Sequence, residues 1–318
     1  MLSPVISVVM SVYNSDKYLS ASITSILEQS FKNFEFIVIN DASTDNSLKI
    51  ITKFMKKDSR IFLENNDNNL GLTKSLNKGL KSARGKYIVR QDADDISLPR
   101  RLEKQYSYLV ENGDYYLIGT GAYIIDESST IQGIHQPIKG WNKIKRGLPK
   151  RNIIYHPSIM FKNNGISYRD KFVYSQDYDM YLRLLSQNKK MNNLDECLIM
   201  YRVVSTSITQ SKVCQQRLFA EKAKQFYYQR ISKGKDRYQY FNSCDILHKK
   251  NYTNNDKKVI TKSKIESNYN KKNYTEALRI TKKYLREYGF ANKFLLYYLL
   301  LTVRQFVFKL KELFNSQN

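Results

Sequence analysis

Three carboxylates, Asp92, Asp94 and Asp95, stand within the run Arg90-Gln91-Asp92-Ala93-Asp94-Asp95, and no other stretch of the chain is better suited to chemistry. They follow Tyr87-Ile88-Val89, an apolar stretch that reads as a strand, and like charges that close repel unless a cation shares them. Asp92 and Asp94 are two residues apart, so at a strand end their side chains can turn to one side, with Asp95 available for a neighbouring contact. A hard divalent ion, Mg2+ or Mn2+, suits such a group: it takes one or two protein carboxylates and fills its other positions with water and phosphate oxygens. A lone Asp-x-Asp has a plainer reading, a solvated acidic turn ahead of a helix that Pro99 starts. The surrounding pattern decides between the two.

The opening run Pro4-Val5-Ile6-Ser7-Val8-Val9-Met10-Ser11-Val12-Tyr13-Asn14 is a β-branched strand stopping at a polar turn, with a helical pattern from about Tyr18 to Gln29. Phe34-Glu35-Phe36-Ile37-Val38-Ile39-Asn40-Asp41 repeats the arrangement, and Ala42-Ser43-Thr44-Asp45 leads from it into a helix through about Met55. A further helix, bracketed by Gly71 and by Gly79 and Gly85, delivers the chain to the acidic cluster. Strand, polar turn, helix, strand is the order of a parallel α/β sheet, whose ligands bind beyond the carboxyl ends of the strands. Asp41 and the Asp92 cluster both fall there. Ser175-Gln176-Asp177-Tyr178-Asp179-Met180 opens an amphipathic helix, and acidic residues in a first turn favour the macrodipole; Asp179 is read as a capping or packing residue of that kind.

Together these residues resemble the large family 2 of inverting glycosyltransferases, which have the GT-A fold and use nucleotide-sugar donors. The resemblance runs from about Pro4 to Ser207 with the motifs in the expected order. It implies a Rossmann-like, mixed and mostly parallel sheet flanked by helices. It further implies a nucleotide wall at Ser11, Tyr13 and Asn14, with Asp41 holding the uracil or ribose, Asp92 on the ribose or metal side, and Asp94 binding the metal. Asp177 stands where the family places its base, and an inverting displacement needs one carboxylate to take the proton from the attacking hydroxyl. His156, in Tyr155-His156-Pro157-Ser158, matches a segment that lines the acceptor side ahead of a strand. The chain departs from the pattern at Asn40, which replaces an Asp but keeps an acceptor, at Gln176, which replaces a Glu, and at Val204, where a His is frequent. Arg202 is read as a strand-end surface charge that could instead face the diphosphate.

A chain of 318 residues holds one α/β domain with a real core plus a smaller appendage. Cys197, Cys214 and Cys244 show no Cys-x-x-Cys spacing, which suits a reducing cytoplasm, and the apolar N-terminal run reads as a strand rather than a signal peptide. Of the net charge of +24, most belongs to the tail: 24 Lys and Arg against 8 Asp and Glu from residue 210 onward, and 29 against 21 before it. The expected organisation is a catalytic domain over 1–209 and a basic helical region over 210–318. Helices are expected at Val213 to Arg230, Tyr274 to Tyr288 and Phe294 to Phe314, with a polar linker around Lys249 to Lys272. The apolar run Phe294 to Val303 is too short to span a bilayer, but with Arg304, Lys309 and Lys311 it fits a helix lying in a membrane interface, or a core helix packed on its predecessor.

The expected function is transfer of one sugar from a nucleotide donor, a UDP-sugar, with Mn2+ or Mg2+, to a bacterial surface glycan on a polyprenyl diphosphate at the inner membrane face. The alternatives are a basic nucleic-acid-binding protein or a scaffold with an inactive transferase fold. The basic residues are dispersed rather than set in a binding motif, and the acidic cluster repels phosphate unless a metal loads it, so nucleic acid is not an expected partner.

Overall fold

The computed structural model describes residues 3–204, 212–248 and 273–288, with isolated positions between 257 and 269 and between 300 and 307. The chain divides into two compact units, Met1–Ser207 with Ala223–Phe241, and Ile208–Lys222 with Asn242–Asn318. Segment 223–241, which the sequence places with the tail, belongs to the first unit.

The first unit is built on a nine-stranded sheet in the order β3-β2-β1-β4-β8-β6-β9-β5, with β7 paired to β6. The strands are β1 (Ile6–Val12), β2 (Phe34–Asn40), β3 (Ile61–Asn65), β4 (Tyr87–Asp92), β5 (Ile96–Ser97), β6 (Tyr115–Ile125), β7 (Ile131–His135), β8 (Met160–Lys162) and β9 (Lys190–Arg202). The pairs β1–β2, β1–β4, β2–β3 and β6–β9 are parallel, and the four others are antiparallel. This is the mixed sheet that the resemblance implies, but only half of its strand pairings are parallel, because β5, β7 and β8 each run against a neighbour. The helices α1 (Asp16–Leu27), α2 (Ser47–Met55), α3 (Leu72–Ser82), α4 (Arg101–Glu111), α5 (Trp141–Gly147) and α6 (Gln176–Ser186) are the connections between strands. Every residue of β2 is buried, as both faces of a sheet covered by helices require. Ile6, Val8, Met10, Val12, Phe36 and Val38 form its core with Leu19, Ile23 and Ile26 of α1.

The helix expected to start at Pro99 begins at Arg101, because Ile96 and Ser97 first pair with Met200 and Ile199 of β9. The register sets Ser11 beside both Ile39 and Asp92, so β1, β2 and β4 end at one level. A buried carboxylate secures their beginning. Glu35 accepts hydrogen bonds from Ser7 Oγ (2.6 Å), the Arg84 main-chain N–H (2.8 Å) and the Arg84 guanidinium (2.8 and 2.7 Å), while Gly85 N–H donates to Ser7 Oγ at 2.8 Å.

In the second unit, the helix Tyr274–Tyr288 buries Ala277, Leu278, Tyr284 and Leu285 together with Ile265 and Leu301. Leu301 therefore supports the core reading of the apolar run, whereas its residues 294–299, positions 308–314 of the expected last helix and most of the expected linker lie outside the described residues. Among the described residues no helix is long and apolar enough to cross a membrane.

A methyl group on Gly85 would lie 2.5 Å from Ser7 N and 2.6 Å from Ile6 C, backbone atoms that cannot move aside. Gly85→Ala should therefore cost about 1–3 kcal/mol in urea unfolding, whereas Gly113→Ala, with nothing within 4 Å of the added carbon, should stay within about 0.5 kcal/mol of wild type. Equal stability of the two variants would show that the β1–β4 junction is not close-packed.

Candidate active site

The acidic turn hangs from the end of β4 and is braced beneath by buried polar side chains. Gln91, 1% exposed, donates through Nε2 to the main-chain oxygen of Asp95 at 2.9 Å and to Ser22 Oγ at 3.1 Å, and the Ser22 hydroxyl donates to Asp92 O at 2.7 Å. Gln91 Oε1 accepts from Ser97 Oγ (2.8 Å) and Arg101 Nη1 (3.0 Å). Arg101 is wholly buried, and its five N–H groups end on uncharged oxygens of Gln105, Gln91, Ser97, Arg90 and Ile159. Burial lowers its pKa to about 9, which keeps it a cation at neutral pH beneath Asp95 and Asp92.

Arg202 closes the turn from the side. Its main-chain N–H donates to Asp95 Oδ1 at 2.8 Å, and its guanidinium bonds the main-chain oxygens of Asp94 (2.9 Å) and Asp126 (2.8 Å) and Ser129 Oγ (3.0 Å). It also lies over the Tyr18 ring at 4.3 Å. The sequence reads this arginine as a surface charge, yet it is 3% exposed. Its partners are mainly backbone atoms of two distant loops, a set that nothing near Tyr201-Arg202 announces.

The carboxylate oxygens of Asp92, Asp94 and Asp95 approach within 4.8 Å of one another. Burial, and then the charge of Asp92, raises Asp94 to about 6, and the same causes with the added charge of Asp94 raise the buried Asp95. Asp95 Oδ2 is buried without a hydrogen-bond partner. A buried carboxylate oxygen left unpaired beside two further acids is costly, and either a proton or a hard divalent cation relieves it. The three residues therefore fit such an ion.

Arg90 pairs with Asp92 and is buried, with its Nε lacking a hydrogen-bond partner. Its charge also lowers the pKa of Asp177 and of His156. Asp177, in the first turn of α6 after the left-handed Ser175 (φ 55°), accepts a hydrogen bond from Asn152 Nδ2 at 2.7 Å. Burial raises its pKa, while Asn152 and Arg90 pull it back. Asn152 lies on an exposed loop in no recognisable motif, and sequence reasoning missed it. Asp179 is fully buried and paired with Arg183 (3.0 Å) and Arg169 (3.6 Å), which is a packing role.

His156 Nε2 shares a hydrogen bond of 2.7 Å with the Tyr168 hydroxyl, and burial, aided by Arg90, holds its pKa well below the usual value. Asp41 accepts from Leu70 N (2.8 Å), Gly71 N (2.9 Å) and Asn66 Nδ2 (2.8 Å), so both its oxygens brace the loop before α3. Asn14 (φ 47°) accepts from Thr44 N at 2.8 Å, and its own N–H donates to Ser43 Oγ at 3.2 Å. Tyr13 is exposed beside it, and Ser11 is half-buried in register with Asp92.

A mixed sheet that presents an acidic turn at the ends of its parallel strands defines a GT-A glycosyltransferase. The chain belongs to glycosyl transferase family 2, whose model matches residues 7–183. The O-antigen biosynthesis glycosyltransferase WbnJ of Escherichia coli is 37% identical over 214 residues, covering 65% of this chain and 82% of its own. The UDP-Glc:alpha-D-GlcNAc-diphosphoundecaprenol beta-1,3-glucosyltransferase WfgD of Escherichia coli is 31% identical over 211 residues, covering 65% and 80%. The fold is shared with mannosyltransferase PcManGT of Pyrobaculum calidifontis, solved with GDP-Man and Mn2+, at a TM-score of 0.57 and 13% identity over 96% of this chain and 86% of that one.

Removing one carboxylate from so small a ligand set should weaken Mn2+ binding about tenfold or more in Asp94→Ala, read by calorimetry in the presence of UDP. The melting temperature without metal should hold or rise, since a like-charge contact is lost. Unchanged Mn2+ affinity would remove Asp94 from the metal site.

Proposed function

We propose that the protein transfers one sugar, with inversion, from a UDP-sugar to a growing bacterial surface glycan carried on a polyprenyl diphosphate. The observation that carries this reading is Asp177: a carboxylate fixed by Asn152 at the mouth of α6, within electrostatic reach of the same buried arginine that pairs with Asp92. In an inverting displacement such a carboxylate takes the acceptor hydroxyl's proton as that oxygen attacks the anomeric carbon from the face opposite the diphosphate. Its raised pKa brings its basicity closer to neutral pH, where proton transfer is more effective. Ser11, Tyr13, Asn14, Asp41 and Asp92 form the nucleotide side in this reading, Asp41 and Asn14 by holding the loops that shape it, and His156 the acceptor side. Asp94, with Asp92 and Asp95, would hold Mn2+ or Mg2+, whose chemistry is to neutralise charge on the leaving diphosphate.

WfgD, named for a UDP-sugar donor and a diphosphoundecaprenol acceptor, supports the donor and lipid carrier, and WbnJ supports the surface-glycan assignment. Peripheral contact with the inner face of the membrane draws support from Leu300, Val303 and Val307, which are 51%, 61% and 46% exposed at helical spacing, while Leu301 between them turns into the core.

Asp177→Asn keeps the shape of the side chain but cannot accept the proton. Its kcat should fall about 100-fold or more, with UDP affinity within about twofold of wild type by calorimetry. The acidic limb of the wild-type kcat profile should lie above the ordinary aspartate range and vanish with the variant. Near-normal turnover would move the base elsewhere.

For the membrane contact, Leu300→Glu with Val303→Glu should release the full chain from anionic phosphatidylglycerol vesicles in co-sedimentation at low salt, leaving UDP affinity in place. A wild-type chain that stays in the supernatant would end this part of the reading.

A further inference from the structure

We propose that Tyr155, Tyr201 and His135 form a stacking platform for the terminal sugar ring of the acceptor, a role that rests on the glycosyl-transfer reading above. The Tyr155 ring lies 4.2 Å from that of His135, tilted by 34°, and meets the Tyr201 ring nearly edge-on at 5.3 Å and 86°. His135 ends β7, Tyr155 precedes the short 3-10 turn His156–Ser158, and Tyr201 is the next-to-last residue of β9. His135 and Tyr201 pair with Ala122 and Ile124 of β6, so three remote segments bring their rings to one stretch of the sheet.

Two features separate this trio from core packing. All three residues are only half-buried, whereas Phe172, Phe226 and Phe241, which pack on one another, are buried throughout. The trio also adjoins, along the chain, two residues that hold the carboxylates of the candidate site. Asn152, three residues before Tyr155, holds the Asp177 carboxylate, and Arg202, next to Tyr201, holds Asp95 through its main-chain N–H. The charge of Asp95 is felt at the Tyr155 phenol, whose pKa is raised first by burial and then by that carboxylate.

A pyranose has a face of C–H groups and a rim of hydroxyls. Aromatic rings with partial water contact match the C–H face through dispersion and the ring quadrupole, and leave the rim free for hydrogen bonds. A ring seated here has only to present one rim hydroxyl to Asp177, and fixing that orientation in advance is what turns a weakly held sugar into a competent nucleophile.

Methyl glycosides of glucose, galactose, mannose and N-acetylglucosamine are the probes, added to the full chain saturated with UDP and Mn2+ and followed by saturation-transfer NMR. At least one should bind, with saturation concentrated on the C–H protons of one face. Tyr155→Leu, which keeps apolar bulk without a π face, and Tyr201→Ala should each raise its Kd about tenfold, while Tyr155→Phe, which loses only the hydroxyl, should stay within about twofold. Failure of all four glycosides to bind wild type, binding that survives in Tyr155→Leu and Tyr201→Ala, or a Phe variant as weak as the Leu variant overturns the platform. UDP affinity, measured on every variant, reports the fold. Wild-type protein that does not bind UDP counts against the donor reading instead.

Discussion

The burial of Arg101 is the constraint on which the acidic turn depends. A guanidinium removed from water must place every donor, and here the acceptors come from β4, β5, α4 and the chain entering β8. None is charged, so the arginine is satisfied in hydrogen bonds and uncompensated in charge until the carboxylates of the turn are counted. Arg90, whose side chain alternates to the other face of β4 from Gln91, supplies a second buried cation. The two cations offset part of the repulsion among the three crowded aspartates. The same scaffold leaves Asp95 Oδ2 unpaired, which is how a site stores the demand for a ligand in otherwise satisfied surroundings.

Loops around the turn are held in a similar way. Asp41 and Asn14 direct their side-chain oxygens to backbone N–H groups of neighbouring loops. This edge is therefore a surface assembled beforehand, with those acceptor atoms already engaged and the cost of ordering the loops met during folding.

What could be read from the residues follows the range of the forces involved. β1, β2 and β4 are runs whose burial shows in composition, and the helices between them carry the period of their buried faces, so the order of elements and the level of Asp41 and Asp92 were legible. β5 was not: two residues become a strand only because β9 lies alongside, and Pro99 gave the more obvious local signal. Arg202 and Asn152 escaped for the same reason, since their partners lie 107 and 25 residues away and no spacing rule reports them. Asp179 was legible as a structural residue because it stands in a first helical turn, although its arginine partners Arg183 and Arg169 were not read.

The bond from Arg202 to Asp95 also orders events in time. During synthesis the chain emerges from its N-terminus, and β1 to β4 can pair from neighbours already made, each joined by a short crossover. The acidic turn cannot be completed then, because its last strand partner and the amide that receives Asp95 belong to residues that leave the ribosome about a hundred positions later. A nascent chain halted short of β9 would carry all three aspartates yet lack their enclosure. Closure of the acidic turn thus becomes a mark of finished synthesis.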